Sequence, residues 1–324
     1  MPERRQRVAS LKRITTRKRR RPRLAAVRPT GPPPSKRSMA AEGNKRLHRP
    51  PSSAAVTEFY VTGFGKFASV PHNPTTDLAR GVQNFFAEST RAAVERRERG
   101  VVLADARVLE VSAVAVREAV QDLCQQCRAR DAARGDQTPA VRSCFLHLGV
   151  DASSPDMALE RNAFNTAVFR FPDERGYQPT VPVPVVEVDA MYRRRSCDEL
   201  ALQRVLRHLL ETPDLQMPHR IRMRISESAG QFLCNFTYYL SLKMVQDEAH
   251  GRWQSLFLHC PPAQVISVPD QLAFVLALMR AIAQVNAEQV ADAKEAAPTE
   301  VPAPEVTADG AHLGQANATV SFTS

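Results

Sequence analysis

A thiol beside an imidazole makes a nucleophile when the chain brings the two together. Cys234 and His259, 25 residues apart, are placed for that. The stretch Ile225-Ser226-Glu227-Ser228-Ala229-Gly230-Gln231-Phe232-Leu233-Cys234 reads as a buried strand, a turn of small residues and the start of a helix. Helix-start N–H groups favour a thiolate, and an imidazole in reach can shuttle its proton. The run Ser255-Leu256-Phe257-Leu258-His259 reads as a short apolar strand ending in that imidazole.

The elements that must hold these groups follow from the pattern on either side. Glu58 to Phe67 describes a central strand entering a glycine turn at Gly63 and Gly65. That turn lacks the further glycines and the lysine–hydroxyl pair of a phosphate loop. Apolar spacing predicts helices over 75–98, 115–133, 198–211 and 270–290, and one beginning at Cys234 and continuing through Leu240, Met244 and Val245. Valine-rich alternation over 101–116 predicts one or two strands, and 144–150 and 220–226 two more. Residues 170–186 form an irregular loop, long enough to have a task. Strands and helices thus alternate, which predicts a three-layer α/β/α sandwich on a mostly parallel sheet, with functional residues at strand ends.

Composition separates this domain from its flanks. Residues 1–50 carry 17 Lys and Arg against two acids, whereas the rest of the 324-residue chain has 27 basic and 32 acidic residues. The basic character therefore belongs to an extension over 1–55, predicted disordered, followed by a folded domain over 56–290 and an Ala/Pro/Glu-rich disordered tail over 291–324. Arg17-Lys18-Arg19-Arg20-Arg21 could serve nuclear import, nucleic-acid contact or an organelle presequence. It could equally lie upstream of a start at Met39, or be a solvated tail with no essential role. Nucleic acid is not an expected partner except through that tail. Six cysteines in a chain of this size make no disulfide framework, so a reducing, cytoplasmic setting is expected. No apolar run approaches the ~20 residues of a membrane helix, and no signal core follows the N-terminal charges. Cys124-Gln125-Gln126-Cys127 falls inside a helix with no second ligand pair, so buried helical thiols are expected rather than a zinc or redox site. Neither metal nor cofactor is expected. Glu160, in the partly apolar run Met157-Ala158-Leu159-Glu160, reads by itself as a surface carboxylate.

Three blocks, in matching order and spacing, resemble the pyroglutamyl peptidase type I family of cysteine peptidases. They are Val61-Thr62-Gly63-Phe64-Gly65-Lys66-Phe67 with Asn73-Pro74-Thr75, then Leu159-Glu160-Arg161-Asn162-Ala163-Phe164-Asn165, and finally Gly230 to Tyr239 with Leu258-His259-Cys260-Pro261-Pro262. The insert Pro172-Asp173-Glu174-Arg175-Gly176-Tyr177-Gln178-Pro179 looks most like kinetoplastid-type members. The resemblance implies Cys234 as nucleophile, His259 as general base and acid, and Glu160 as the group orienting the imidazole. It also implies Arg170 near the oxyanion and a lactam pocket lined by Phe64, Phe67, Phe171 and Phe232. The implied substrates are peptides with N-terminal pyroglutamate, and the implied assembly is a monomer or homo-oligomer. Lys66 departs from the family's usual proline, Gln231 from a frequent arginine and Val150 from a bacterial glutamine, while Cys260 adds a second thiol beside His259. A catalytically lapsed binding or regulatory protein acting through the basic tail is the alternative.

Overall fold

A computed structural model describes residues 55–67, 70, 72–88, 100–134, 141–211, 221–248 and 251–295. Apart from Ala55, the predicted N-terminal extension, with its basic run and Met39, lies outside the described residues, as do 296–324.

Strand β1 (Val56–Phe64) is buried along almost its whole length, the mark of a central strand covered on both faces. It pairs in parallel with β2 (Val101–Leu109) on one side and β3 (Val141–Val150) on the other. Strand β3 pairs in parallel with β8 (Trp253–Cys260). Beyond β8 the direction reverses, because β4 (Met157–Glu160) is antiparallel to β8 and parallel to the edge strand β7 (Met223–Ser226). The sheet order is β2-β1-β3-β8-β4-β7, and β5 (Asn162–Phe164) with β6 (Arg194–Ser196) form a separate antiparallel pair.

Helices α2 (Ala113–Arg134) and α4 (Leu233–Asp247) cover one face, and α1 (Pro74–Ala87), α3 (Glu199–Glu211) and α5 (Val268–Glu295) the other. The three-layer sandwich with a mostly parallel, mixed sheet is therefore present. The helix expected over 75–98 is seen to Ala87, and 89–99 lie outside the described residues. The region 101–116 contributes one strand, not two.

Two expectations need correction at α5. The helix runs to Glu295, past the domain boundary set at 290, because the same alanines and acids that read as tail also favour helix. Over Val268–Ala293 it is also long and apolar enough to cross a membrane, which inspection of apolar runs underrated. Its apolar side is nevertheless committed to the sheet: Phe274, Val275, Leu278, Met279 and Ile282 are buried in the core shared with β1, β3 and β8.

The first recognised block has a structural cause. Asn73 caps α1, its Oδ1 accepting from the Thr75 N–H at 3.1 Å, and its Nδ2 donates to the Gly65 carbonyl at 3.1 Å. The Phe64 N–H donates to Thr75 Oγ1 at 2.9 Å, and the Thr76 hydroxyl donates to the Phe64 carbonyl at 2.7 Å. The helix start is thereby stitched to the end of β1 so closely that a Cβ at Gly63 would stand 2.0 Å from the Thr75 carbonyl oxygen. Gly63→Ala is expected to lower unfolding stability by about 2 kcal/mol or more in urea denaturation, since rigid backbone must move.

Candidate active site

The helix that carries Cys234 starts where it does because Gly230 takes a left-handed backbone, φ +83°, that turns the chain out of β7. Phe232 then caps α4 in an extended conformation with no side-chain cap bond, and Cys234 follows as the second helical residue. The N–H groups of a first helical turn have no acceptor within the helix, so donors cluster around this thiol. Its sulfur needs room against the sheet, and Gly149 near the end of β3 provides it. A Cβ there would lie 3.0 Å from Cys234 Sγ and 2.7 Å from the Phe257 ring.

Strand register sets the imidazole beside that notch, because Gly149 pairs with His259 across β3 and β8. The His259 ring is 7 % exposed and within hydrogen-bond reach of Cys234. Its Nδ1 meets Glu160 Oε1 at 2.7 Å. Glu160, 1 % exposed, is thus buried rather than the surface carboxylate its local sequence suggests. It reaches His259 because β4 runs antiparallel to β8, pairing Glu160 with Phe257 and Ala158 with His259. Burial disfavours the imidazolium, but the Cys234 thiolate and the Glu160 carboxylate outweigh it and raise the His259 pKa to about 10. Asp151, just after β3, also feels the charge on the ring. Burial opposes its ionisation, yet the Ser153 hydroxyl and N–H, with the charges on His259 and Arg224, hold its carboxyl below the usual range.

The aromatic residues divide. Phe64 is buried at the end of β1, and Phe67 and Phe232 pack against the same core with ring centroids 5.0 Å apart. Phe171, expected in this group, is 53 % exposed, and its neighbour Arg170 is exposed too. The phenylalanine that joins the cluster is Phe169, whose ring lies 4.6 Å from Phe232 and 5.6 Å from Tyr177. Alternation along Val168-Phe169-Arg170-Phe171 would put both phenylalanines on one side, so the sequence held no signal for choosing Phe169, and the irregular course of the segment separates them.

Of the departing residues, Lys66 and Gln231 are exposed. Cys260 points away from the site into the core on the opposite face; it is fully buried and burial pushes its thiol up, which removes it as a rival nucleophile. Cys124 and Cys127 are buried in α2 as expected. Among the described residues no group of three or more His, Cys, Asp or Glu side chains is arranged to hold a metal ion.

The raised His259 pKa carries a stability consequence. The unfolded ring releases its proton near 6.5 and the folded ring near 10, so the native state binds more protons between these values. The stabilisation is fully present below pH 6.5 and is lost as pH rises through about 10. Urea denaturation across that range is expected to fall more steeply for the native chain than for His259→Gln.

The family model described as pyroglutamyl peptidase matches residues 93–295. A pyrrolidone-carboxylate peptidase of Thermococcus litoralis is 26 % identical over 209 residues, which cover 64 % of this chain and 78 % of that relative. One of Bacillus cereus is 29 % identical over 139 residues, covering 42 % of this chain and 59 % of the relative, so that this alignment spans less than two thirds of its length. The solved pyrrolidone carboxyl peptidase of Thermococcus litoralis superposes with a TM-score of 0.52 at 20 % identity, over 74 % of this chain and 96 % of that one, a likeness of fold. With more than half its length matched by that family model, the chain belongs to the pyroglutamyl peptidase family.

Proposed function

We propose that the protein is a cysteine omega peptidase that hydrolyses the amide bond after an N-terminal pyroglutamyl residue. The observation that carries this reading is the constellation of Cys234 at a helix start with the buried His259 and Glu160, in a chain of this family.

The chemistry proceeds from these groups. With the proton already on His259, the Cys234 thiolate attacks the substrate carbonyl, forming an Sγ–C bond as the C=O π pair moves to oxygen. The resulting oxyanion lies against the first-turn N–H groups of α4, which need no reorganisation to receive it. His259, held at Nδ1 by Glu160, gives its Nε2 proton to the departing amine, and the C–N bond breaks to leave a thioester. The imidazole then takes a proton from water, hydroxide displaces Sγ, and free pyroglutamate leaves. Pyroglutamate has neither a free amine nor a charged side chain, so a pocket of Phe64, Phe67, Phe169 and Phe232 suits its lactam. In this reading Arg170 and Phe171 stand on the rim, with Arg170 free to approach the oxyanion once substrate is bound.

We place the enzyme in the cytoplasm, in keeping with its six free cysteines. We treat residues 1–55 and 291–324 as extensions of a catalytic domain over 56–290, with α5 adding its last turn.

Release of a reporter amine from a pyroglutamyl amide tests the mechanism. Cys234→Ala is expected to lower kcat by about 10⁴-fold or more, and activity that survives it would refute the thiol mechanism. Glu160→Gln, which keeps the shape and removes the charge, is expected to lower kcat by about 10²-fold. Removing residues 1–38 is expected to leave kcat/KM unchanged, and a large loss would make the extension part of the enzyme.

A further inference from the structure

Cys234 and Tyr238 stand one turn apart on α4, so their side chains share a face of the helix. From that face Cys234 reaches His259, while the Tyr238 hydroxyl donates to the main-chain carbonyl of Glu160 at 2.9 Å. The acceptor belongs to the residue whose carboxylate holds the imidazole. We propose that Tyr238 is a positioning residue: its bond to the Glu160 carbonyl fixes the helix of the nucleophile against the strand of the carboxylate, and so sets the alignment of imidazole with thiol. The proposal rests on the reading of Cys234, His259 and Glu160 as the catalytic set.

Three observations make this bond matter. Strand β4 has four residues and Glu160 is its last, beyond which the chain turns through Arg161 into β5. Pairing with Phe257 and Ser226 holds Glu160 within the sheet, and the Tyr238 bond adds the link between this strand end and the helix of the nucleophile. Moreover, Glu160 Oε2 is buried without a partner, so the carboxylate is held by His259 and by the position of its own main chain. The ring of Tyr238 is itself fixed, fully buried with its centroid 5.7 Å from that of Phe257, which lies 4.8 Å from the His259 ring.

Among the side chains of the described residues the Cys197 thiol also donates to this carbonyl, at 3.8 Å, a weaker partner. Burial, reinforced by the Cys197, Glu160 and Cys144 groups around it, keeps the Tyr238 phenol protonated. Its hydroxyl therefore stays a donor over the range in which His259 titrates. Asn235, next to the nucleophile, fastens a later part of the same segment by accepting from the Phe164 N–H at 2.8 Å and donating to the Thr166 carbonyl at 2.8 Å.

Tyr238→Phe keeps the ring and removes only the hydroxyl. On a pyroglutamyl amide its kcat is expected to fall about tenfold, as for a small misplacement of a catalytic group. KM is expected to stay within about twofold because the pocket rings are untouched, and the alkaline limb of kcat should move to lower pH as His259 loses its aligned carboxylate. In a Glu160→Gln background the same change should cost less than about twofold, since the hydroxyl acts through that carboxylate. If Glu160→Gln alone keeps full kcat, the catalytic reading and this proposal fall together. If Glu160→Gln loses kcat while Tyr238→Phe keeps both kcat and the limb and only melts earlier, the hydroxyl is structural and the positioning role alone is refuted. Should Tyr238→Phe not fold, Cys197→Ala removes the weaker donor to the same carbonyl. A smaller loss of kcat with the same shift of the limb is then expected, and an unchanged enzyme overturns the proposal.

Discussion

The contact between Glu160 and His259 is the constraint around which the site is arranged. A carboxylate 1 % exposed is tolerable only beside a group that can carry positive charge or donate a hydrogen bond, and the imidazole at 2.7 Å is that group. Together with Cys234, the larger influence, this pairing favours the protonated ring and gives the sulfur a charged neighbour. Reversal of strand direction at β4 follows from this need. A fifth parallel strand would bring its carboxyl end up beside that of β8, whereas the antiparallel strand passes Ala158 opposite His259 and brings Glu160 opposite Phe257. From that lower row the carboxylate extends towards Nδ1, leaving the mouth of the site to other groups.

Helix α4 connects this pair to the aromatic pocket. Four residues of its first two turns have separate attachments: Cys234 to His259, Asn235 to Phe164 and Thr166, Tyr238 to Glu160 and Tyr239 to Asp189 at 2.6 Å. Asp189 in turn pairs with the buried Arg195 at 2.9 Å and ties the irregular loop after β5 to β6. Asn165 holds the same loop by donating to the carbonyls of Val186, Asp189 and Ala190. The loop that delivers Phe169 to Phe232 is therefore built largely on polar bonds, to helices, to its own base and to the turns beside it, as in Val168 N–H to the Gln231 carbonyl and Glu174 N–H to the Val111 carbonyl. Without a sheet ladder to order it, such a loop relies on satisfied buried polar groups for a single conformation.

Much of this was legible in residue order. A small-residue turn before Cys234 announced the helix start, and the apolar run into His259 announced a strand. The alternation of elements gave the sandwich and its helical layers. What the pattern could not convey was pairing between distant short segments. Met157 to Glu160 is too brief to declare strand direction, and its carboxylate looked external because burial there comes from β7, β8 and α4 rather than from its own neighbours. Phe169 and Phe171 are indistinguishable by type, and only the fixed course of the loop decides between them. Gly149 was readable in principle, since a glycine within a strand signals close approach, but its visitor, Cys234 Sγ, comes from 85 residues away.

Strand order adds a consequence for how the site comes into being. The strands β2, β1 and β3 pair among themselves, and β4 pairs with β7, but only β8 joins these two groups. Among the described residues it is the last strand in chain order and the one that carries His259. During synthesis the thiol of Cys234 leaves the ribosome before the strand that completes the sheet, so the chain spends an interval with its nucleophile made but its base not yet docked. Closure of the sheet and assembly of the base are one event, which couples the acquisition of reactivity to the completion of the fold.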